Sequence, residues 1–194
     1  MANLSNEEIL RSRRFVLEVH QQRYLAAHAH LRSLLSSHTG QDAASLSFLT
    51  GPFGKPYFSA NLACHFNLSH CKEKALIAIA PRHEVGVDVE FLVDLTDGLE
   101  LAKEHFSKCE MLAWSNLPLH RRNQAFLEIW TRKEACVKAV GWGLNMPLAS
   151  VNVGLGPLPR QLRVNLPNGA AAEIVVQSLA VGPWGVGAIA WVIK

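Results

Sequence analysis

"IWTRKEACVKAVG", residues 129–141, reads as a helix whose inward stripe carries charge. Residues three or four apart lie on one side of a helix, so Trp130, Glu134 and Lys138 align, with Val137 and Gly141 beside them. A stripe led by Trp130 and Val137 faces a core or a cleft, yet Glu134 and Lys138 bring charge to it. Two explanations stand at this point. Glu followed four residues later by Lys is a common surface pair contributing roughly 0.2–0.5 kcal/mol. The other is a half-buried phosphate or metal site.

Working outward from this helix (121–140) gives the fold class. Upstream, residues 5–36 read as one long helix, opened by a capping box from Ser5 and Glu8. Four short strands follow: "SLSFLT" (45–50), "CHFNLS" (64–69), "ALIAIA" (75–80) and "VGVDVE" (85–90), with "GPFGKPYF" (51–58) as a Gly/Pro loop. A helical stretch spans 96–114, with a break expected near Ser107, and "SNLPLHRR" (115–122) reads as a polar loop. Downstream, "ASVNV" (149–153), "RQLRVNL" (160–166), "AEIVVQSLA" (172–180) and "GVGAIAWVI" (185–193) read as strands joined by Gly/Pro/Asn turns. Helix, strands, helices, strands is a segregated order, which predicts an α+β fold rather than alternating α/β. Each half pairs a long helix with later short strands, so two related lobes are expected, divided as 1–90 and 91–194.

Composition narrows the function classes. The 194 residues are 49% hydrophobic and 18% charged, enough to bury a proper core. A net charge of +3 is too weak to argue for nucleic acid but suits an anionic ligand or an acidic partner. "MANLSNEEILRSRR" lacks an apolar signal core, and no apolar run is long enough to span a bilayer, so no membrane association is expected. The four cysteines, Cys64, Cys71, Cys109 and Cys136, lack the dense spacing of a disulfide scaffold. A reducing, cytoplasmic setting is the expectation.

The chemistry concentrates in few places. On the strand "VGVDVE", Asp88 and Glu90 project from one face roughly 7 Å apart. They repel unless a positive group lies between them. A solvated acidic strand face is one reading; a hard divalent cation with oxygen ligands is the other. If the 121–140 helix packs across this strand, Glu134 completes a three-carboxylate site and Lys138 sits where a metal-bound phosphate needs neutralising. In "FNLSH", Asn67, Ser69 and His70 end a strand and can hydrogen-bond phosphate oxygens from a loop. Lys55 sits on the stiff turn "GKP", and Arg11, Arg13, Arg14 and Arg23 lie on the first helix. Cys64, His65, His70 and Cys71 lack zinc-site spacing.

Taken in order, "FGKP", "FNLSH", "VGVDVE", "HFSKCE" and "WTRKEACVKAVGWGL" resemble the motif series of the 4′-phosphopantetheinyl transferases. The likeness is to the longer, surfactin-type branch, monomeric and two-lobed, with each lobe a long helix on a small, mostly antiparallel sheet and the active site in the cleft between them. It implies transfer of the phosphopantetheine arm of coenzyme A to a serine of an apo acyl or peptidyl carrier protein. Adenosine 3′,5′-bisphosphate leaves. By the same resemblance Asp88, Glu90 and Glu134 hold Mg²⁺, with Mn²⁺ possible, and Lys138 meets the pyrophosphate. Lys55, Ser69 and His70 contact the nucleotide end, with Arg11 and Arg23 as further cations. Glu134 and Glu110 are the two candidates for the general base, although Ser107 and Glu110 also read as a capping box. The stretch 96–122, with Arg121 and Arg122, is the expected docking surface for an acidic carrier. The opening strand usual in such proteins is expected to be absent or very short.

Two other functions use the same residues. A Mg²⁺-dependent nucleotide-pyrophosphate hydrolase would need no carrier and would release phosphopantetheine to water. A non-catalytic carrier-binding module would keep its affinity when Asp88 or Glu134 is replaced.

Overall fold

Two 22-residue helices, each stopped by a glycine, organise the chain: α2 (Glu18–Thr39) and α5 (Leu119–Val140). Gly40 at φ 73 and Gly141 at φ 74 cap them in the left-handed region, where a side chain would be strained. The computed structural model describes residues 3–59 and 64–194. Within them the remaining elements are α1 (Asn6–Ser12), β1 (Phe48–Thr50), β2 (Pro56–Phe58), β3 (His65–Cys71), β4 (Lys74–Ala80), β5 (Val85–Phe91), α3 (Gly98–His105), α4 (Lys108–Ser115), β6 (Arg160–Asn165), β7 (Ala171–Leu179) and β8 (Gly185–Val192). All the ladders among them are antiparallel: β1–β2, β3–β4, and a four-stranded sheet in the order β5-β8-β7-β6. The fold is α+β, as the order of elements predicts.

The first half buries Leu31 and Leu35 of α2 against Phe58 and Phe66. The second buries Ile129, Ala135, Val137 and Ala139 of α5 against Ile174, Ala188 and Ala190 of its sheet. By sequence β5 falls in the 1–90 half, but its ladder runs to β8, so the four-stranded sheet crosses that division.

The predicted 5–36 helix is two helices separated by Arg13–Leu17, and the second runs on to Thr39. The capping box of Ser5 and Glu8 forms as expected. The break has a tertiary cause: folding α1 back on α2 lets Glu8 Oε2 accept from Arg32 Nε at 2.6 Å and Oε1 meet His28 Nδ1 at 3.0 Å. Helix α3 stops at His105 and α4 starts at Lys108, so the break near Ser107 is present. "SNLPLHRR" is only partly a loop, because α5 already begins at Leu119. The 51–58 loop likewise supplies β2.

"ASVNV" is not a strand. Leu148–Ser150 form a 3₁₀ turn and Val151–Val153 belong to no ladder. Its alternation is genuine, since Val151 and Val153 are 0% exposed. Its backbone is satisfied by side chains rather than by a neighbouring strand. Glu110 Oε1 accepts from the Val153 and Gly154 N–H groups, Lys133 Nζ donates to the Leu148 and Val151 carbonyls, and Arg132 Nη2 donates to the Val153 carbonyl. No helix among the described residues is long and apolar enough to cross a membrane.

Helix α5 crosses β5 at Gly86, where a Cβ would stand 2.1 Å from the Ala135 carbonyl oxygen and 2.3 Å from the Ala139 nitrogen. Both contacts are backbone and cannot swing away. Gly86→Ala is therefore expected to lower stability by about 3 kcal/mol, read from urea unfolding; an unchanged midpoint would refute the contact. A second expectation concerns acid. Burial alone would raise the Glu8 carboxyl, but His28, the Ser5 N–H and Arg32 outweigh it and hold it at about 2. A depressed carboxylate stabilises the fold above its unfolded pKa, and that stability is lost as pH falls toward about 2. Glu8→Gln should flatten the acid limb of thermal stability between about pH 4.5 and pH 2, measured by circular dichroism.

Candidate active site

Strands β3 and β5 belong to different sheets, yet side chains of one reach the other at alternate positions. Asn67 Oδ1 accepts from the Val87 N–H at 2.9 Å, Ser69 Oγ donates to Asp88 Oδ1 at 2.9 Å, and Cys71 Sγ donates to Glu90 Oε2 at 3.2 Å. The period of two explains the set: residues 67, 69 and 71 share one face of β3. Asn67, Ser69 and His70 thus lie within a strand that continues to Cys71, not on a loop beyond its end.

Helix α5 adds the cation. Lys138 Nζ donates to Asp88 Oδ1 at 2.5 Å and to Ser69 Oγ at 3.2 Å. Asp88 is 4% exposed, and its other oxygen, Oδ2, is buried with no partner among the described residues. Burial and, to a lesser degree, the Asp88 charge push the Glu90 carboxyl above its usual range. Burial also raises Glu134, opposed by Lys138 and reinforced by Asp88 and Glu90. The three carboxylates feel one another through a poorly solvated space. Among the described residues, no three His, Cys, Asp or Glu side chains are gathered closely enough to cage an ion. The donor set nonetheless suits a hard cation, because it offers carboxylate oxygens in a poorly solvated space and Asp88 Oδ2 lacks a partner among the described residues.

Other expected site residues lie in different places. Lys55 shares a cavity of about 280 Å³ with Asn67, Glu134, Lys138 and Gly141. Its ammonium is engaged by Glu84 Oε2 at 2.5 Å and by the Ala139 carbonyl at 2.8 Å. Burial lowers its pKa, against the pull of Glu84. His70 points away from Ser69: it lines a second cavity with Arg23, between α2 and the β3–β4 hairpin. Its pKa is lowered by burial first and then by the positive charges of His28, Lys138 and Arg23. Arg11 stands over the Tyr24 ring, 5.8 Å from its centroid.

Glu110 is apart from this cluster. Its side chain is 0% exposed; it caps α4 through the Ser107 N–H and pairs with Lys133 Nζ at 2.7 Å. Lys133, also 0% exposed, went unassigned in the sequence reading, although a lysine between Arg132 and Glu134 on an inward helix face was the available signal. Cys136 is packing: burial pushes its thiol up to about 12. Of the two arginines expected at the docking surface, Arg121 is exposed. Arg122 is spent on the Leu117 and Ser115 carbonyls and the face of Trp114.

An α+β fold thus brings a lysine and three interacting acids together where α5 crosses β5. A sequence model described as the 4′-phosphopantetheinyl transferase superfamily matches residues 84–188. The 4′-phosphopantetheinyl transferase HetI of Nostoc sp. is 31% identical over 193 residues, covering 98% of this chain and 81% of the relative. The 4′-phosphopantetheinyl transferase Sfp of Bacillus subtilis is 30% identical over 168 residues, covering 87% of this chain and 73% of the relative. The chain belongs to the 4′-phosphopantetheinyl transferase superfamily.

The sealed pair yields a stability expectation. Lys133→Met leaves the Glu110 carboxylate buried without its cation, which typically costs about 3–5 kcal/mol. Chemical denaturation measures it, and a loss below 1 kcal/mol would mean the pair is open to water in solution.

Proposed function

We propose that this chain transfers the 4′-phosphopantetheine arm of coenzyme A to the serine hydroxyl of an apo acyl or peptidyl carrier protein. The serine oxygen forms a bond to the β-phosphorus as the bond to adenosine 3′,5′-bisphosphate breaks, and the serine proton is released. The observation that carries this reading is Lys138 held on Asp88 beside the partnerless Oδ2, with Glu90 and Glu134 in electrostatic reach. Phosphoryl transfer needs positioning and charge neutralisation more than covalent participation, and this group supplies both.

Asp88, Glu90 and Glu134 would hold a divalent cation, Mg²⁺ or Mn²⁺. Bound there, it supplies positive charge to the pyrophosphate oxygens. Lys138 can turn from Asp88 to the pyrophosphate, because its side chain is 29% exposed while that of Asp88 is 5% exposed. Ser69 orients Asp88 through its 2.9 Å bond. Glu134, partly buried and raised, is the group available to take the serine proton; sealed Glu110 is not. The cavity shared by Lys55, Glu134 and Lys138 takes part of the nucleotide, while Arg23 and His70 face its phosphorylated end. Docking of the carrier is assigned to 96–122, with Arg121 rather than Arg122 offering free positive charge. The enzyme acts as a cytoplasmic monomer on this reading.

The test is the intact mass of an apo carrier protein incubated with the chain, coenzyme A and Mg²⁺. A gain of one phosphopantetheine arm, abolished by EDTA and lowered at least about 10²-fold by Asp88→Ala or Glu134→Gln, is expected. Phosphopantetheine released to water without a carrier would establish the hydrolase instead.

A further inference from the structure

A cavity of about 480 Å³ opens between α2 and the β3–β4 hairpin, a volume suited to part of a small ligand. Its wall carries Arg23, His30, His70, Lys72 and Lys74, and Glu73 is the one carboxylate among the described residues lining it. Glu73 lies in the two-residue turn between β3 and β4, next to Lys72, which takes the left-handed conformation at φ 49. From there Glu73 Oε1 accepts from Arg23 Nη2. The pair is unequal: the Arg23 side chain is 25% exposed and that of Glu73 is 64% exposed. The arginine belongs to the wall, and the acid reaches it from the solvent side. Arg23 Nε, moreover, is buried and has no partner among the described residues.

We infer that Glu73 is a resident counter-anion that holds Arg23 in place of a phosphate monoester, and that the 3′-phosphate of coenzyme A displaces it on binding. The inference rests on the reading of Arg23 and His70 as the nucleotide end of the site. A phosphate monoester carries about −1.5 to −2 charge near neutral pH and offers three acceptor oxygens. It can engage two guanidinium N–H groups at once, including the Nε that Glu73 leaves without a partner. The displaced carboxylate returns to water at little cost, since an exposed ion pair is weakly held. Lys72 and Lys74 on the same wall add to a positive field that one exposed carboxylate does not cancel. Glu73 thereby sets how strongly the 3′-phosphate contributes to binding.

Calorimetric titration of the full chain with coenzyme A and with 3′-dephospho-coenzyme A tests this, with circular dichroism confirming the fold of each variant. Glu73→Gln should tighten coenzyme A by about threefold and leave the dephospho compound unchanged. Arg23→Gln should weaken coenzyme A alone and remove the effect of Glu73→Gln in the double variant. Equal gains for both ligands, no gain, or weaker coenzyme A binding would overturn the inference. A wild-type chain that binds coenzyme A but modifies no carrier would instead overturn the transferase reading, leaving the two failures distinguishable.

Discussion

Helix α5 crosses directly over β5, and Gly86 makes that close approach possible. With no Cβ between them, the Ala135–Ala139 backbone lies against the strand. That contact sets the height of α5 above the sheet and therefore where Lys138 falls. One residue of side chain at position 86 would lift the helix, and Lys138 would lose the 2.5 Å contact with Asp88. The small residues Ala188 and Ala190 on neighbouring β8, both 0% exposed, extend the same close packing across the sheet. Packing of small residues thus places charged ones.

Charge is buried in two different ways here. Glu110, Lys133 and Arg132 are closed off from water and spend their hydrogen bonds largely on the backbone of 148–158. They replace the strand partner that this segment lacks, and their many hydrogen bonds offset the cost of burying charge, although Arg132 Nε has no partner among the described residues. Asp88, Glu90, Glu134 and Lys138 are the opposite case. Asp88 Oδ2 has no partner among the described residues, and burial raises the pKa of Glu90 and Glu134. The acids and Lys138 lie beside a cavity, where an external ion and ligand are proposed to bind, whereas Glu110, Lys133 and Arg132 hold the backbone of 148–158. Glu110 and Glu134 read alike in the sequence as candidate bases; their hydrogen-bond complement separates them.

Much of the layout of the candidate site was legible. The four-residue spacing of Glu134 and Lys138 and the two-residue spacing of Asp88 and Glu90 each fix a shared face, and both faces do meet. The resemblance gives Ser69 and His70 one role; neighbouring strand residues point opposite ways, so one reaches Asp88 and the other lines the α2 cavity. Lys55 is expected by the resemblance to contact the nucleotide end; Glu84, just before β5, engages its ammonium.

What the sequence determined by itself was periodicity: which residues share a face, where caps and glycines stop helices, and that helices and strands are segregated. These are local properties, set within a few residues by backbone geometry. The tertiary structure alone decided which faces oppose each other. It broke the 5–36 helix so that Glu8 could reach Arg32, and it turned the apolar alternation of 149–153 into an unpaired segment held by buried charges. It also brought Glu73 to Arg23, 50 positions away in sequence. Partner choice across such separations depends on packing and on unmet hydrogen bonds, and neither is written in the local pattern.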